Sequence, residues 1–243
     1  MEVSLIKVLL HSFFIQSGWS YERRQALGFF YSMYPMIENL PGRDREEKKK
    51  LMLRHLQYFN TNPYVANLIL GVVCGLEREN ISGEVINSVK EQLSGPLAII
   101  GDNLFFYTLL PLLSVVSLYI YTFYPENFLL PAIFLLCSYN VIHLLLRIVG
   151  FYYGIRYSFN AVRFLQGVRL HNILFFLKVA GLVLVIVFII TNILPSSPNM
   201  LFFVFKILYC GIMLSLQFFN FSTTEELFYL TVLALFVLNF AIP

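Results

Sequence analysis

Apolar and polar positions divide this chain into long, uninterrupted runs. Residues 104–124, LFFYTLLPLLSVVSLYIYTFY, carry no charge over 21 positions. Residues 127–146, NFLLPAIFLLCSYNVIHLLL, add 20 more. Each is long enough to cross a hydrocarbon core about 30 Å thick. Only Pro125 and Glu126 separate them, which predicts a tight transmembrane hairpin. A third span is expected at 173–195, with Lys178 near one end and able to snorkel. A fourth is expected at 199–221, interrupted by Lys206, and a short fifth at 227–242. The PSSPN segment between the third and fourth has two prolines and no charge, so it predicts a turn.

The first 103 residues follow a different pattern. Residues 3–16 read as amphipathic and interfacial. Residues 44–59 read as a helix with a charged start, with Met52, Leu56 and Phe59 on one face. After NTNP comes YVANLILGVVCGL, 13 apolar residues ending before Glu77. That is too short to span, and fits a re-entrant or a buried helix. Residues 80–93 are polar, with Ser82 as a cap. SGPLAIIGDN then predicts irregular backbone at the entrance to the first span. In residues 147–170, Arg156, Asn160 and Arg163 recur at helical spacing. Two readings stand there: a helix lying at the inner interface, or a basic loop that happens to be helical.

The pattern therefore predicts an all-α integral membrane protein. It has about five transmembrane helices plus N-terminal amphipathic and re-entrant helices. Residues 1–103 form a cytoplasmic-side motif region. Residues 104–243 form a transmembrane region with an interfacial helix at 147–170.

Composition strengthens the membrane reading. The chain is 58% hydrophobic and 13% charged, where soluble domains carry about 25% charged residues. Its mean hydropathy is +0.72. Residues 1–103 hold 11 of the 17 Lys and Arg. From Arg147 to Lys178 there are five bases and no acid, which places that stretch on the cytoplasmic side. Counting spans in both directions predicts a cytoplasmic N-terminus and an external C-terminus. The net charge of +3 includes no basic reading element, so no nucleic-acid partner is expected. The first 20 residues lack the pattern of a signal peptide.

Candidate chemistry is sparse. His11, His55, His143 and His171 stand apart, and Cys74, Cys137 and Cys210 are isolated in apolar stretches. No metal, cofactor or catalytic site is expected from them. His143 admits two roles, a proton relay within a span or a bundle hydrogen bond. The informative polar residues are Trp19, Glu22, Arg23, Gln25, Asn60, Thr61 and Asp102. An indole with carboxylate and amide groups suits a sugar, and also suits an interfacial anchor, the reading that composition alone favours. Asn60 and Thr61 read as a turn before Pro63 or as the polar lining of a re-entrant segment. Asp102, beside a long span, must be solvated, paired or functional.

Three stretches carry a family resemblance: SGWSYERRQALGFFYSMYP, RHLQYFNTNPYVANLILGV and SGPLAIIGD. In order and spacing they resemble the IID subunit of mannose-family sugar phosphotransferase systems. RIVGFYYGIRYSFNAV at 147–162 resembles that family's tyrosine-and-glycine segment. The resemblance implies a permease subunit in a bacterial cytoplasmic membrane. It would pair with a IIC subunit, form higher oligomers of such pairs, and receive phosphate through cytoplasmic IIA and IIB units. The sugar, a hexose or amino sugar, would pass mainly through IIC. The seven polar residues would then lie at a substrate or subunit interface. Glu22 and Asp102 would orient donors, and Arg23 would pair with an acid.

The departures are specific. Ile99 and Asn103 stand where the family usually has glycine and proline, and Leu110 stands before Pro111 where it often has arginine. They keep a second hypothesis open, a IID-like membrane scaffold that has lost its transport role. A membrane-embedded enzyme is a third, with no nucleophile–base pair to support it.

Overall fold

The computed structural model describes residues 2–160 and 170–188. The chain divides into two compact units, Met1–Gly181 and Leu182–Pro243. The sites described below all lie in the first. The regular elements among the described residues are helices. They are α1 (Glu2–His11), a 3-10 turn (Ser12–Phe14), α2 (Ala26–Glu38), α3 (Arg45–His55) and α4 (Ala66–Arg78). Next come α5 (Gly83–Leu104), a π-helical turn (Phe105–Leu109), α6 (Leu110–Phe123), α7 (Leu129–Tyr157) and α8 (Leu170–Phe188).

The centre of the first unit is α4, the apolar run after NTNP. Every residue from Ala66 to Glu77 is buried. The run is a buried helix because its neighbours cover it on all sides. Its C-terminus is a Schellman motif on Asn80, which takes the left-handed φ of 56°. Ile81 N–H donates to Leu76 O at 3.2 Å and Asn80 N–H to Glu77 O at 3.3 Å. Both satisfy carbonyls that the helix end would orphan.

Helix α7 packs on α4 through glycines on both partners. A Cβ on Gly154 would stand 2.5 Å from Leu68 O and 2.7 Å from Val72 N. A Cβ on Gly71 would collide with Phe151 O, and one on Gly75 with Ser158 Oγ. Gly71-x3-Gly75 thus faces Gly150-x3-Gly154, the small-residue spacing that lets two backbones touch.

Two described helical stretches are long and apolar enough to cross a membrane, Gly83–Phe123 and Leu129–Tyr157. Helix α6 buries none of its residues within the chain. In α7 the buried residues are Pro131, Arg147, Phe151 and Gly154. These are the two spans expected from the hairpin. The third expected span is described only as far as Phe188. The fourth and fifth lie outside the described residues.

Three expectations are corrected. SGPLAIIGDN is not irregular: it is the last part of α5, which runs through Pro96. Gly and Pro at positions 99 and 103 would weaken that helix, whereas Ile99 and Asn103 let it continue. Irregularity falls one turn later. Pro111 cannot donate to the carbonyl four residues back, and a π turn precedes it, with Leu110 N–H reaching Phe105 O. Second, residues 147–157 are not a separate element but complete α7; residues 161–169 of the expected interfacial helix at 147–170 lie outside the described residues. Third, α3 ends at His55 and buries Leu51 and His55 rather than Met52 and Leu56. Asp44 caps α3 by accepting from Glu47 N–H at 2.7 Å, and Ser82 stands at the N-cap of α5 without a side-chain bond.

Candidate functional site

The first motif enters α2 through a strained turn. Arg24 has a left-handed φ of 54°. Ser20 and Arg24 exchange backbone bonds, Arg24 N–H to Ser20 O at 2.9 Å and Ser20 N–H to Arg24 O at 3.1 Å. That turn delivers Gln25, which is buried, against residues 59–61. Gln25 N–H donates to Phe59 O at 2.8 Å. Its side chain then does what a β-ladder partner would do. Gln25 Nε2 donates to Thr61 O at 2.8 Å, and Thr61 N–H donates to Gln25 Oε1 at 3.1 Å.

The rest of the loop is tied from other sides. Thr61 Oγ1 donates to Ser94 O of α5 at 3.0 Å. Asn62 Nδ2 donates to Asp102 Oδ1 at 2.8 Å. Asn62 Oδ1 accepts from Tyr64 N–H at 2.9 Å, an Asx turn that starts α4. Gly101 leaves room for this, since a Cβ there would overlap the Asn62 side chain. Arg147 of α7 reaches the same loop. Its Nη2 donates to Pro63 O and its Nη1 to Ser12 O, both at 2.9 Å. Asn67 Nδ2 donates to Ser12 Oγ at 2.9 Å, closing the connection to the N-terminal turn.

The loop 60–63 is therefore a clasp. Segments far apart in the chain each supply one or two bonds to it: residue 25, residues 94–102 and residue 147. Buried backbone polar groups need partners, and an irregular loop against a buried helix has no ladder to provide them. Side chains of the motif residues provide them instead. Of the expected site residues, Gln25, Thr61 and Asp102 meet here. Trp19, Glu22 and Arg23 have exposed side chains and stand outside it, and Asn60 begins the loop with its side chain exposed. Asp102, expected to orient backbone or hydroxyl donors, accepts from the side-chain amide of Asn62.

Sequence reasoning missed Ser94, Gly101 and Arg147 as clasp members. Asn62 read with Asn60 and Thr61 as a turn before Pro63 or a polar lining, without its bond to Asp102. Arg147 could have been found as a base inside an apolar helix, which must aim at carbonyls or acids.

A second polar cluster lies under α3. His55 Nε2 is 3.0 Å from Glu77 Oε1, and Arg54 Nη1 is 3.3 Å from the same oxygen. Burial pushes the His55 imidazole below its ordinary range, outweighing the pull of Glu77 upward. Lys90 Nζ sits 5.2 Å from the Phe29 ring centroid in the same region. Among the described residues no group of His, Cys, Asp or Glu could hold a metal ion. A cleft lined by Leu40, Pro41, Gly75, Arg78 and Glu79 lies at the other end of α4 and includes none of the expected residues.

Comparison with known proteins settles the family. The chain matches the family model of the PTS system mannose/fructose/sorbose family IID component over residues 2–201. It belongs to that family. It is similar to the mannose-specific EIID component of Escherichia coli (strain K12), 37% identical over 158 residues, 63% of this chain and 53% of that protein. The chain thus spans about half the length of this relative. Among solved structures it is similar to a chain of the mannose transporter ManYZ in complex with microcin E492. That likeness has a TM-score of 0.61 at 32% identity, over 78% of this chain and 70% of that one. A second, described as a membrane protein, matches with a TM-score of 0.76 at 26% identity, over 99% of this chain and 96% of the other.

The family departure at residue 99 has a structural answer. Ile99 is 65% exposed on α5. Gly101, two residues on and on the opposite side of the helix, is the position that the Asn62 side chain approaches closely.

Proposed function

We propose that this IID chain is the membrane permease subunit of a phosphoenolpyruvate-dependent sugar phosphotransferase system. It works with a IIC membrane subunit and with cytoplasmic IIA and IIB units, which carry the phosphate. The sugar is a hexose or amino sugar. The N-terminus faces the cytoplasm, the C-terminus the outside, and IIC–IID pairs assemble into a higher oligomer.

The observation that carries this reading is the clasp. Gln25, Thr61 and Asp102, one from each of the three motif stretches, meet at the 60–63 loop and hold it beside α4. They build a scaffold, with no nucleophile or phosphate-accepting histidine within it. Such a scaffold suits a subunit whose task is assembly and shape. The long helices α6 and α7 expose apolar side chains along most of their length, surface that bilayer or a partner helix would cover. The exposed side chains of Glu22 and Asn60 are not used by the clasp's hydrogen bonds.

The test is co-expression with the IIC gene of the same system, followed by purification through a tag on either subunit. Recovery of both subunits in fixed ratio, with sugar uptake that requires both genes, supports the reading. Separate purification of each, with uptake that survives deletion of this gene, refutes it.

A further inference from the structure

The loop of residues 17–24 is the part of the first motif that the clasp does not use. Trp19 is 52% exposed and Tyr21 is 80% exposed. Between them lies Arg24, whose guanidinium carbon is 5.1 Å from the Trp19 ring and 5.2 Å from the Tyr21 ring. Stacking occupies the face of a guanidinium and leaves its in-plane N–H groups free for an oxyanion. The left-handed φ at Arg24 and the paired backbone bonds to Ser20 hold this arrangement in place.

The aromatic face continues beyond the loop. Gly18 rests on the Leu27 side chain. Leu27 and Tyr31 follow one another on the exposed side of α2. Tyr31 stacks on His11 at 4.3 Å and meets the edge of Phe14 at 6.1 Å. Arg23 and Glu22 are exposed in the loop itself, and Lys7 is exposed on α1 one turn before His11, which stacks on Tyr31.

We propose that this face docks on an anionic phospholipid surface. The rings of Trp19 and Tyr21 would sit at the headgroup level, and Arg24, Arg23 and Lys7 would meet phosphate. Trp, Tyr and Arg are enriched at protein interfaces too, so the setting chooses between occupants: the compact unit that holds this face also holds two helical stretches apolar enough to cross a membrane. Here indole, phenol and guanidinium alternate, the pattern of the aromatic belt at a membrane–water boundary with bases added for acidic lipid. The proposal goes beyond the function proposed above and requires that this face stay on lipid when the chain pairs with IIC.

Trp19 is the only tryptophan in the chain, so its emission reports this loop alone. The purified full chain is placed in lipid nanodiscs of phosphatidylcholine, with and without one-third phosphatidylglycerol. Each set includes lipid spin-labelled near the carbonyl or deep in the acyl chain. The expected result is blue-shifted emission, quenched more by the shallow label than by the deep one. Brominated phosphatidylglycerol should quench more than brominated phosphatidylcholine at equal fraction. Arg23→Gln or Lys7→Gln, at exposed positions, should each reduce that preference by up to about fivefold, with unchanged circular dichroism. Water-like emission that aqueous iodide quenches and lipid labels do not would overturn the proposal. So would lipid quenching with no anionic preference. Loss of lipid quenching when a co-purified IIC subunit is added would overturn it too, by assigning the face to protein.

Discussion

Gln25→Leu removes one side chain of nearly the same volume from the clasp. It leaves Thr61 N–H and Thr61 O without the bonds of 3.1 and 2.8 Å that Gln25 supplies. Thr61 is only 4% exposed, so water cannot replace them freely. Each buried backbone group left unpaired costs about 1–3 kcal/mol. The apolar replacement recovers part of that through burial, so the net loss is about 3 kcal/mol. For a chain of this size, 1 kcal/mol moves the melting temperature by about 2–4 °C, which predicts a fall of roughly 6–12 °C. Gln25→Glu sharpens the test. A carboxylate keeps the acceptor for Thr61 N–H but sets an oxygen against Thr61 O and buries a charge, so it should lose at least as much. The assay is thermal unfolding of the purified chain in detergent, followed by circular dichroism and by loss of the monodisperse peak on size exclusion. If both variants melt within 2 °C of the natural chain, taking the low end of that scale, Gln25 does not hold the loop and the clasp is misassigned.

Three further outcomes follow from the same geometry. Gly154→Leu should abolish the monodisperse fold, because even its Cβ would stand 2.5 Å from Leu68 O; overpacking of this kind costs about 3 kcal/mol or more. Gly95→Ala is the matched control: nothing lies within 4 Å of a Cβ there, so the helix should gain up to about 1 kcal/mol, seen as a higher melting temperature. His55 is held neutral by burial, with Glu77, Arg54 and Lys90 facing it, and its folded pKa lies below the ordinary 6.5. The unfolded chain then binds the extra proton first, so stability is full above about pH 6.5 and falls as pH drops through that value towards the lowered folded pKa. Melting curves across that window check it, and His55→Gln should flatten the slope at this site.

Some of this architecture was legible in the residues and some was not. The charge-free runs marked the hairpin of α6 and α7 because nothing in those runs needs water. The 13-residue run after NTNP was correctly limited to a non-spanning helix by its length alone. The glycine and proline signals misled at residues 94–103. Local propensity argued for a break, and packing of Leu93, Leu97 and Gly101 against the core overrode it. The stretch from Arg147 looked like a new element because it carries bases. Arg147 is instead inside a continuous helix, its charge spent on two carbonyls. Of the seven candidate residues, the three that gather are those whose side chains complete backbone hydrogen bonds or accept from Asn62. No spacing rule reveals that, because partners 36 and 40 residues apart in sequence meet only once α2, α4 and α5 have packed.

The central claim is that the motif residues act on this chain's own backbone rather than on sugar. It is tested most directly by uptake kinetics of cells carrying the complete permease with Asn62→Leu in this subunit. Asn62 supplies the bonds to Asp102 and Tyr64 N–H, and Leu preserves its bulk. The account predicts less assembled IIC–IID complex in the membrane and a proportionate fall in maximal uptake. The KM per assembled complex should not change. A raised KM with full assembly would contradict it, and would place Asn62 on the sugar.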